Sequence, residues 1–302
     1  MVEGRAGRQR VVLALVGVVV LVAVYALLSN AYRLLDPSLA PGPLARSFRP
    51  EILPPVQSIV ETLVRLVLGR PAPHGGHVHV IDHLGYLADQ RVTLQGALLV
   101  SARRVLLGVV VGGFLGILGG LAMGWSPALD DYLHPIYIVV RSIPPLALIT
   151  YVMLWIGHGE AHLLVPIVYA VCTTVLIPTY HGVRDLAPVY VVAARALGAR
   201  GRILWLRVVL PAVTPAVLSA LRYSIVIAWM TAVGAEMLMS NDGMGHLLVG
   251  GGLWSGREEV RVDPAVVIAG ILALATLGWL MDSVLKLATA RLTSWSTRRR
   301  HW

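Results

Sequence analysis

Charge is scarce in this chain. Only 14% of its 302 residues are Asp, Glu, Lys or Arg, while 57% are hydrophobic. A soluble domain needs a more charged surface, so the composition excludes that class and points to a polytopic membrane protein. Lysine is nearly absent, and the net charge of +9 rests almost wholly on arginine. Those arginines stand mostly at the ends of apolar runs. That is the positive-inside pattern and not a nucleic-acid footprint, so no nucleic-acid partner is expected. There is one cysteine, Cys172, within an apolar run. It excludes an intrachain disulfide and reads as a small buried hydrophobe. No Gly-x4-Gly-Lys-Ser/Thr loop is present, so no phosphate-cradling nucleotide site of that kind is expected. His74, His77, His79 and His83 crowd one segment. No supporting shell of hydrogen-bonding partners is visible around them, so neither a metal nor a cofactor is expected. An intramembrane enzyme would need His, Asp, Glu or Ser converging at bilayer depth, and no such cluster is visible.

Long apolar runs are what the chain has. A spanning helix needs about 20 apolar residues, because the hydrocarbon core is about 30 Å thick and a helix rises about 1.5 Å per residue. Six runs qualify: Val11 to Leu28, Leu99 to Met123, Leu133 to Ile156, His162 to Tyr180, Thr214 to Met239 and Pro264 to Leu287. The expected fold is therefore all-α, with about six transmembrane helices. Arg5, Arg8 and Arg10 precede the first run, which reads as a retained anchor and not a cleaved leader. Arginine placement puts both termini and the segment after the fourth run in the cytoplasm. The turn at Asp130 and Asp131 carries no basic residue, against that pattern. Four regions follow: a tail and anchor (1–30), an outer segment (31–93), a membrane core (94–290) with a cytoplasmic loop (184–212), and a basic tail (291–302). In the outer segment, prolines precede Pro54 to Leu68, where Val56, Ile59, Val60, Leu63 and Val67 recur at helical spacing. That pattern predicts an amphipathic helix on the membrane surface or against the bundle.

Three features within the core carry mechanism. In the second run, Gly108, Gly112, Gly116, Gly120 and Gly124 recur every four residues, with Gly113 and Gly119 beside them. Residues four apart share a helix face, so this stripe lets another helix approach closely, for fixed packing or for sliding. Arg103 and Arg104 begin the same run and read as interfacial anchors. In the third run, Arg141-Ser142-Ile143-Pro144-Pro145 interrupts the helix, because prolines remove backbone donors. Such a break is tolerated against protein or a watery cavity, which makes Arg141, Ser142, Pro144 and Pro145 candidates for a translocation pathway. Trp229 and Glu236, in the fifth run, join them, since a carboxylate at that depth is costly without a function or a partner. The third feature is a polar island, Val192 to Pro211, reading VAARALGARGRILWLRVVLP. Gly198 and Gly201 break its helical pattern, which predicts helix, tight turn, helix, with Pro211 starting the next span.

That island resembles the EAA loop of bacterial ABC-importer permeases, Glu-Ala-Ala-x3-Gly-x9-Ile-x-Leu-Pro. Ala193, Ala194, Gly198, Leu210 and Pro211 match without a gap; Val208 stands for Ile, and Val192 replaces the Glu. Further segments look like the nitrate, sulfonate, taurine and bicarbonate branch of these permeases: Ser101 to Gly108, Ile143 to Leu148, Leu154 to Glu160, Ala228-Trp229 and Ala235 to Leu238. The resemblance covers about Leu94 to Leu287. It implies a type I ABC importer permease, non-catalytic, in the bacterial inner membrane. The partners it implies are two ATPase subunits, a periplasmic or lipid-anchored solute-binding protein, a second permease copy and membrane lipid. The solute it implies is a small anion. Ala193, Ala194, Leu197, Gly198, Ala199, Leu210 and Pro211 would then couple the chain to the ATPase. The alternative is a secondary transporter without an ATPase, which would need ion sites within its spans and often shows internal repeats. Arg222 and Asp282 lie within spans but toward their cytoplasmic ends, no repeat is visible, and the Val192 to Pro211 island would be unexplained.

Overall fold

The computed structural model describes residues 20, 22–27, 54–68, 78–81, 87–90, 94–186, 188–249 and 264–292. Residues 22–27 are helical, and the rest of the expected anchor run lies outside the described residues. So do His74, His77, His83 and the terminal arginines.

Helix α1 spans Val56–Val67 and answers the amphipathic pattern of the outer segment. It packs against the last helix of the chain and against the start of the second apolar run. Ile59 and Thr62 are buried, whereas Val60 and Val67 stay exposed, so the buried face is narrower than the spacing predicts. Strands β1 (Val78–Ile81) and β2 (Leu87–Gln90) then form an antiparallel hairpin, with Val78 opposite Gln90. This hairpin was not predicted from the sequence; the other elements among the described residues are helical.

The core follows as α2 (Leu94–Trp125), α3 (Pro127–Arg141), α4 (Pro145–Ile156) and α5 (Glu160–Arg184). Next come α6 (Pro188–Ala196), α7 (Gly201–Leu204), a π-helical turn (Trp205–Val209) and α8 (Leu210–Met239). A short α9 (Gly243–Leu248) and α10 (Pro264–Leu292) complete it. Among the described residues four helices are long and apolar enough to cross a membrane: α2, α5, the α7–α8 unit and α10. The third expected span is not one straight helix. α3 and α4 meet at a bend of 93°, so the pair makes a fifth span only if counted as a single broken one. The physical cause is Pro144-Pro145, which cannot donate to the preceding turn. Pro211 does not open a span either. The helix runs on from Gly201 to Met239, and the wider π turn lies just before the proline.

The core forms where α2 lies along α5, the most extensive helix pair in the molecule. The glycine stripe makes that approach. A β-carbon at Gly112 would sit 2.5 Å from the Val168 carbonyl oxygen; at Gly116, 2.7 Å from that of Cys172; at Gly120, 2.5 Å from that of Leu176. At the two ends of the stripe the nearest neighbours are side chains: a β-carbon at Gly108 would meet that of Ile167, and one at Gly124 that of Val183. In lipid, where apolar side chains gain nothing by leaving solvent, such close backbone contact is what holds helices together. Val105, Ile167, Val171, Val175, Ala228 and Trp229 fill the space between α2, α5 and α8.

Candidate functional site

The loop between α5 and α8 is set by backbone chemistry. Gly198 has φ +86°, a conformation that a β-carbon resists. It lets the chain reverse after α6: the Gly198 N–H donates to the Arg195 carbonyl and the Ala199 N–H to that of Ala194. Those two bonds make a Schellman cap, and Gly201 (φ +48°) then starts α7. The expected helix, turn, helix is the structure. The turn presents apolar surface to the outside: Leu197 is 89% exposed, Val192 64%, and Val189 is also exposed. Ala193 and Gly198 are exposed, Ala194 and Ala199 half-buried. Leu210 and Pro211 lie farther along, within the helix that follows. Four arginines, at 195, 200, 202 and 207, ride on this loop, and no acidic residue occurs between Asp185 and Glu236.

The broken span is held by a tyrosine. Pro144 has no N–H to offer the Val140 carbonyl, which accepts from the Ile143 N–H at 3.0 Å and from the Tyr169 hydroxyl of α5. It lies 3.0 Å from the Ile143 carbonyl oxygen as well. Arg141, Ser142 and Pro144 are exposed at this bend, and Pro145 is half-buried. The sequence reading missed Tyr169, because its partners are main-chain atoms of another helix.

Trp229 and Glu236 are elsewhere. Trp229 belongs to the apolar core and is 9% exposed. Glu236 is fully buried at the end of α8. Its carboxylate accepts from Arg104 Nη1 at 2.9 Å, from Ser101 Oγ at 2.7 Å and from the Gly245 N–H at 3.0 Å. Arg104, expected at the membrane interface, is 2% exposed. Its Nε and Nη2 grip Glu160 at 3.1 and 2.8 Å, and Nη2 also meets Asp242 at 2.6 Å. One guanidinium thus joins α2, α5, α8 and the turn into α9. Charged groups leave water only when paired, and bidentate geometry is what guanidinium supplies best. Gly243 and Gly245 bring that turn close: a β-carbon at Gly243 would sit 2.5 Å from the Glu236 carboxyl carbon. The sequence showed Glu236 as an acid without a partner; the partner is 132 positions away.

Further ion pairs bridge elements. Asp130, on the turn that lacked a basic neighbour, meets Arg184 at 3.0 Å and the Tyr180 hydroxyl at 2.9 Å. Arg222 and Asp282 pair between α8 and α10, at 2.8 Å at the closest. Each of these two residues, within a span and near its cytoplasmic end by the sequence, has the other as its partner.

Comparison with known proteins agrees with this arrangement. The family described as "Binding-protein-dependent transport system inner membrane component" matches residues 108–294. The taurine transport system permease protein TauC of Escherichia coli (strain K12) is 32% identical over 247 residues, 82% of this chain and 81% of that protein. The putative aliphatic sulfonates transport permease protein SsuC of Bacillus subtilis (strain 168) is 31% identical, over 67% of this chain and 71% of its own. Among solved structures, the MetNI methionine ABC transporter in inward-facing conformations aligns with TM-score 0.50 at 16% identity. That alignment covers 66% of this chain and 98% of the other, and shows a shared fold. The family match spans more than half of the chain, which sets aside a secondary transporter. The chain belongs to this family: it is the multi-pass, non-catalytic permease component of a binding-protein-dependent ABC importer.

Proposed function

We propose that this chain conducts a small anionic solute inward, of the sulfonate, taurine, nitrate or bicarbonate type. A solute-binding protein, periplasmic or lipid-anchored, delivers the solute. Two copies of the chain form the pathway, and two ATPase subunits drive it from the cytoplasm. Both termini lie on the cytoplasmic side of the inner membrane, and residues 94–290 form the translocating core. The observation that carries the reading is the capped loop of α6 and α7. Its apolar tip at Leu197 and Val192 is exposed, and its arginines have no acidic neighbour in the segment. Such a surface needs a partner in water, and the ATPase is the partner an ABC importer possesses. Ala193, Ala194, Leu197, Gly198 and Ala199 shape the docking turn, while Leu210 and Pro211 carry its motion into α8. Arg141, Ser142, Pro144 and Pro145 mark the pathway at the broken span. Trp229 and Glu236, buried here, serve packing in this state. The solute class rests on the likeness to TauC and SsuC.

Leu197 provides the test. It touches little within the chain, so Leu197→Asp leaves the fold intact and places a charge in the docking surface. An unpaired charge in an interface costs a few kcal/mol, and about 1.4 kcal/mol is tenfold in affinity. Pull-down of the ATPase should therefore weaken by about tenfold or more, and binding-protein-stimulated ATP hydrolysis should fall with it. Wild-type values for both would remove the docking assignment. Taurine uptake by the assembled importer, competed by nitrate and bicarbonate, tests the solute class.

A further inference from the structure

The molecule holds two kinds of helix at the end of the bundle opposite the α6–α7 loop. One kind is tied. Arg104 fastens α2 to Glu160 at the start of α5, to Glu236 at the end of α8, and to Asp242 before α9. Ser101 adds a second tie: its hydroxyl donates to Glu236 and accepts from the Met244 N–H at 2.8 Å. His162 ties the first turn of α5 to the last carbonyl of α8, that of Met239, at 3.2 Å. Ser101, Arg104, Glu236 and His162 are all buried, so these ties cannot be exchanged for water without loss.

The other kind is α4. Of its twelve residues only Ile149 and Val152 are buried. The proline break and its 93° bend lie at one end. At the other, Gly157 has φ +85°, and a β-carbon at Gly157 or Gly159 would meet nothing within 4 Å. No ion pair among the described residues involves α4. Its contact with α8 is apolar, with Leu146 set against Gly234 and Ile149 clustered with Ala235. A short, lightly buried helix between two backbone joints moves as a unit more readily than helices cross-linked by buried charge.

We propose that Arg104 is a positioning residue for transport: it holds the ends of α2, α5, α8 and α9 as one frame, against which α4 swings between its joints at Ser142–Pro145 and Gly157–Gly159. The inference rests on the permease reading only for its transport readout.

The test uses the assembled importer in liposomes, with Cys172→Ala as background. A β-carbon at Gly234 would lie 2.8 Å from Leu146 Cδ2 and 3.7 Å from its Cγ, so a Leu146→Cys, Gly234→Cys pair is within disulfide reach. Oxidation should stop uptake at least tenfold, and reduction should restore it. Uptake unchanged by a complete crosslink would overturn the swing of α4, and failure of the pair to oxidise would remove the contact on which it is built. For Arg104, the readout is solute moved per ATP hydrolysed, which a merely structural loss of folded protein does not alter. Arg104→Gln should lower that ratio several-fold in the complexes that assemble, and an unchanged ratio would make Arg104 a tie without a role in transport. A chain that binds no ATPase at all would instead defeat the permease reading. Bound ATPase with stimulated hydrolysis and a harmless crosslink would defeat the present inference alone.

Discussion

Glu236 and Arg104 illustrate what a residue's surroundings add to its identity. Neither side chain could stay buried alone. Removing one partner of a buried ion pair costs about 3–5 kcal/mol, because the other charge is left unpaired in a dry place. Glu236→Ala should therefore lower stability by roughly that amount, read as a fall in the melting temperature of the detergent-solubilised chain. Glu236→Gln should cost less, since its amide oxygen still accepts from Ser101 and from the Gly245 N–H. Equal losses for the two variants would mean that charge pairing with Arg104 contributes little. The acid was legible in the sequence, because a carboxylate deep in an apolar run demands explanation. The arginine was not. Beside Arg103 at the start of a run, it has the look of an interfacial anchor. Only folding brings residues 101, 104, 160, 236 and 242 together. Arg103, by contrast, keeps its side chain 57% exposed and meets Glu160 at 3.1 Å.

At the scale of elements, period and punctuation were enough. The four-residue repeat of Gly108 to Gly120 made a smooth helix face legible, and the structure supplies its partner, α5. With a β-carbon at Gly116 already 2.7 Å from a backbone oxygen, Gly116→Leu cannot be absorbed by turning a side chain. Overpacking of this kind costs about 1–3 kcal/mol or more. The variant should insert poorly or melt several degrees lower, and uptake should fall with it. Normal stability and uptake would show that α2 and α5 are not packed as described. The proline pair likewise made the break between α3 and α4 legible, though not its angle or the Tyr169 hydroxyl of α5 that meets the Val140 and Ile143 carbonyls there. The β1–β2 hairpin was not legible. Its segment is rich in glycine and histidine and has no long alternation of apolar and polar residues, the signal by which a half-buried strand is recognised.

For the whole molecule, charge sets orientation. The start of α3, just after the turn from α2, carries two aspartates and no arginine, which counts weakly against a cytoplasmic position. Folding supplies what the local sequence lacks: Arg184, at the end of α5, reaches Asp130, so that corner is not bare of positive charge. The α6–α7 loop with its four arginines continues from the same end of α5. The proposed orientation, following the positive-inside rule, puts both on the cytoplasmic face and the Arg104 frame with the α4–α5 corner outside. Two exposed positions test this directly. Leu197 marks the loop, and His158 marks the opposite corner. In a Cys172→Ala background, Leu197→Cys should react with a membrane-impermeant maleimide in inside-out vesicles only, and His158→Cys in intact spheroplasts only. Because α5 joins the two ends as a single helix, the result at one site constrains the other. Reversed labelling at both would turn the molecule over. The loop would then face away from any cytoplasmic ATPase, and the assignment of Leu197 to docking would fall with the orientation.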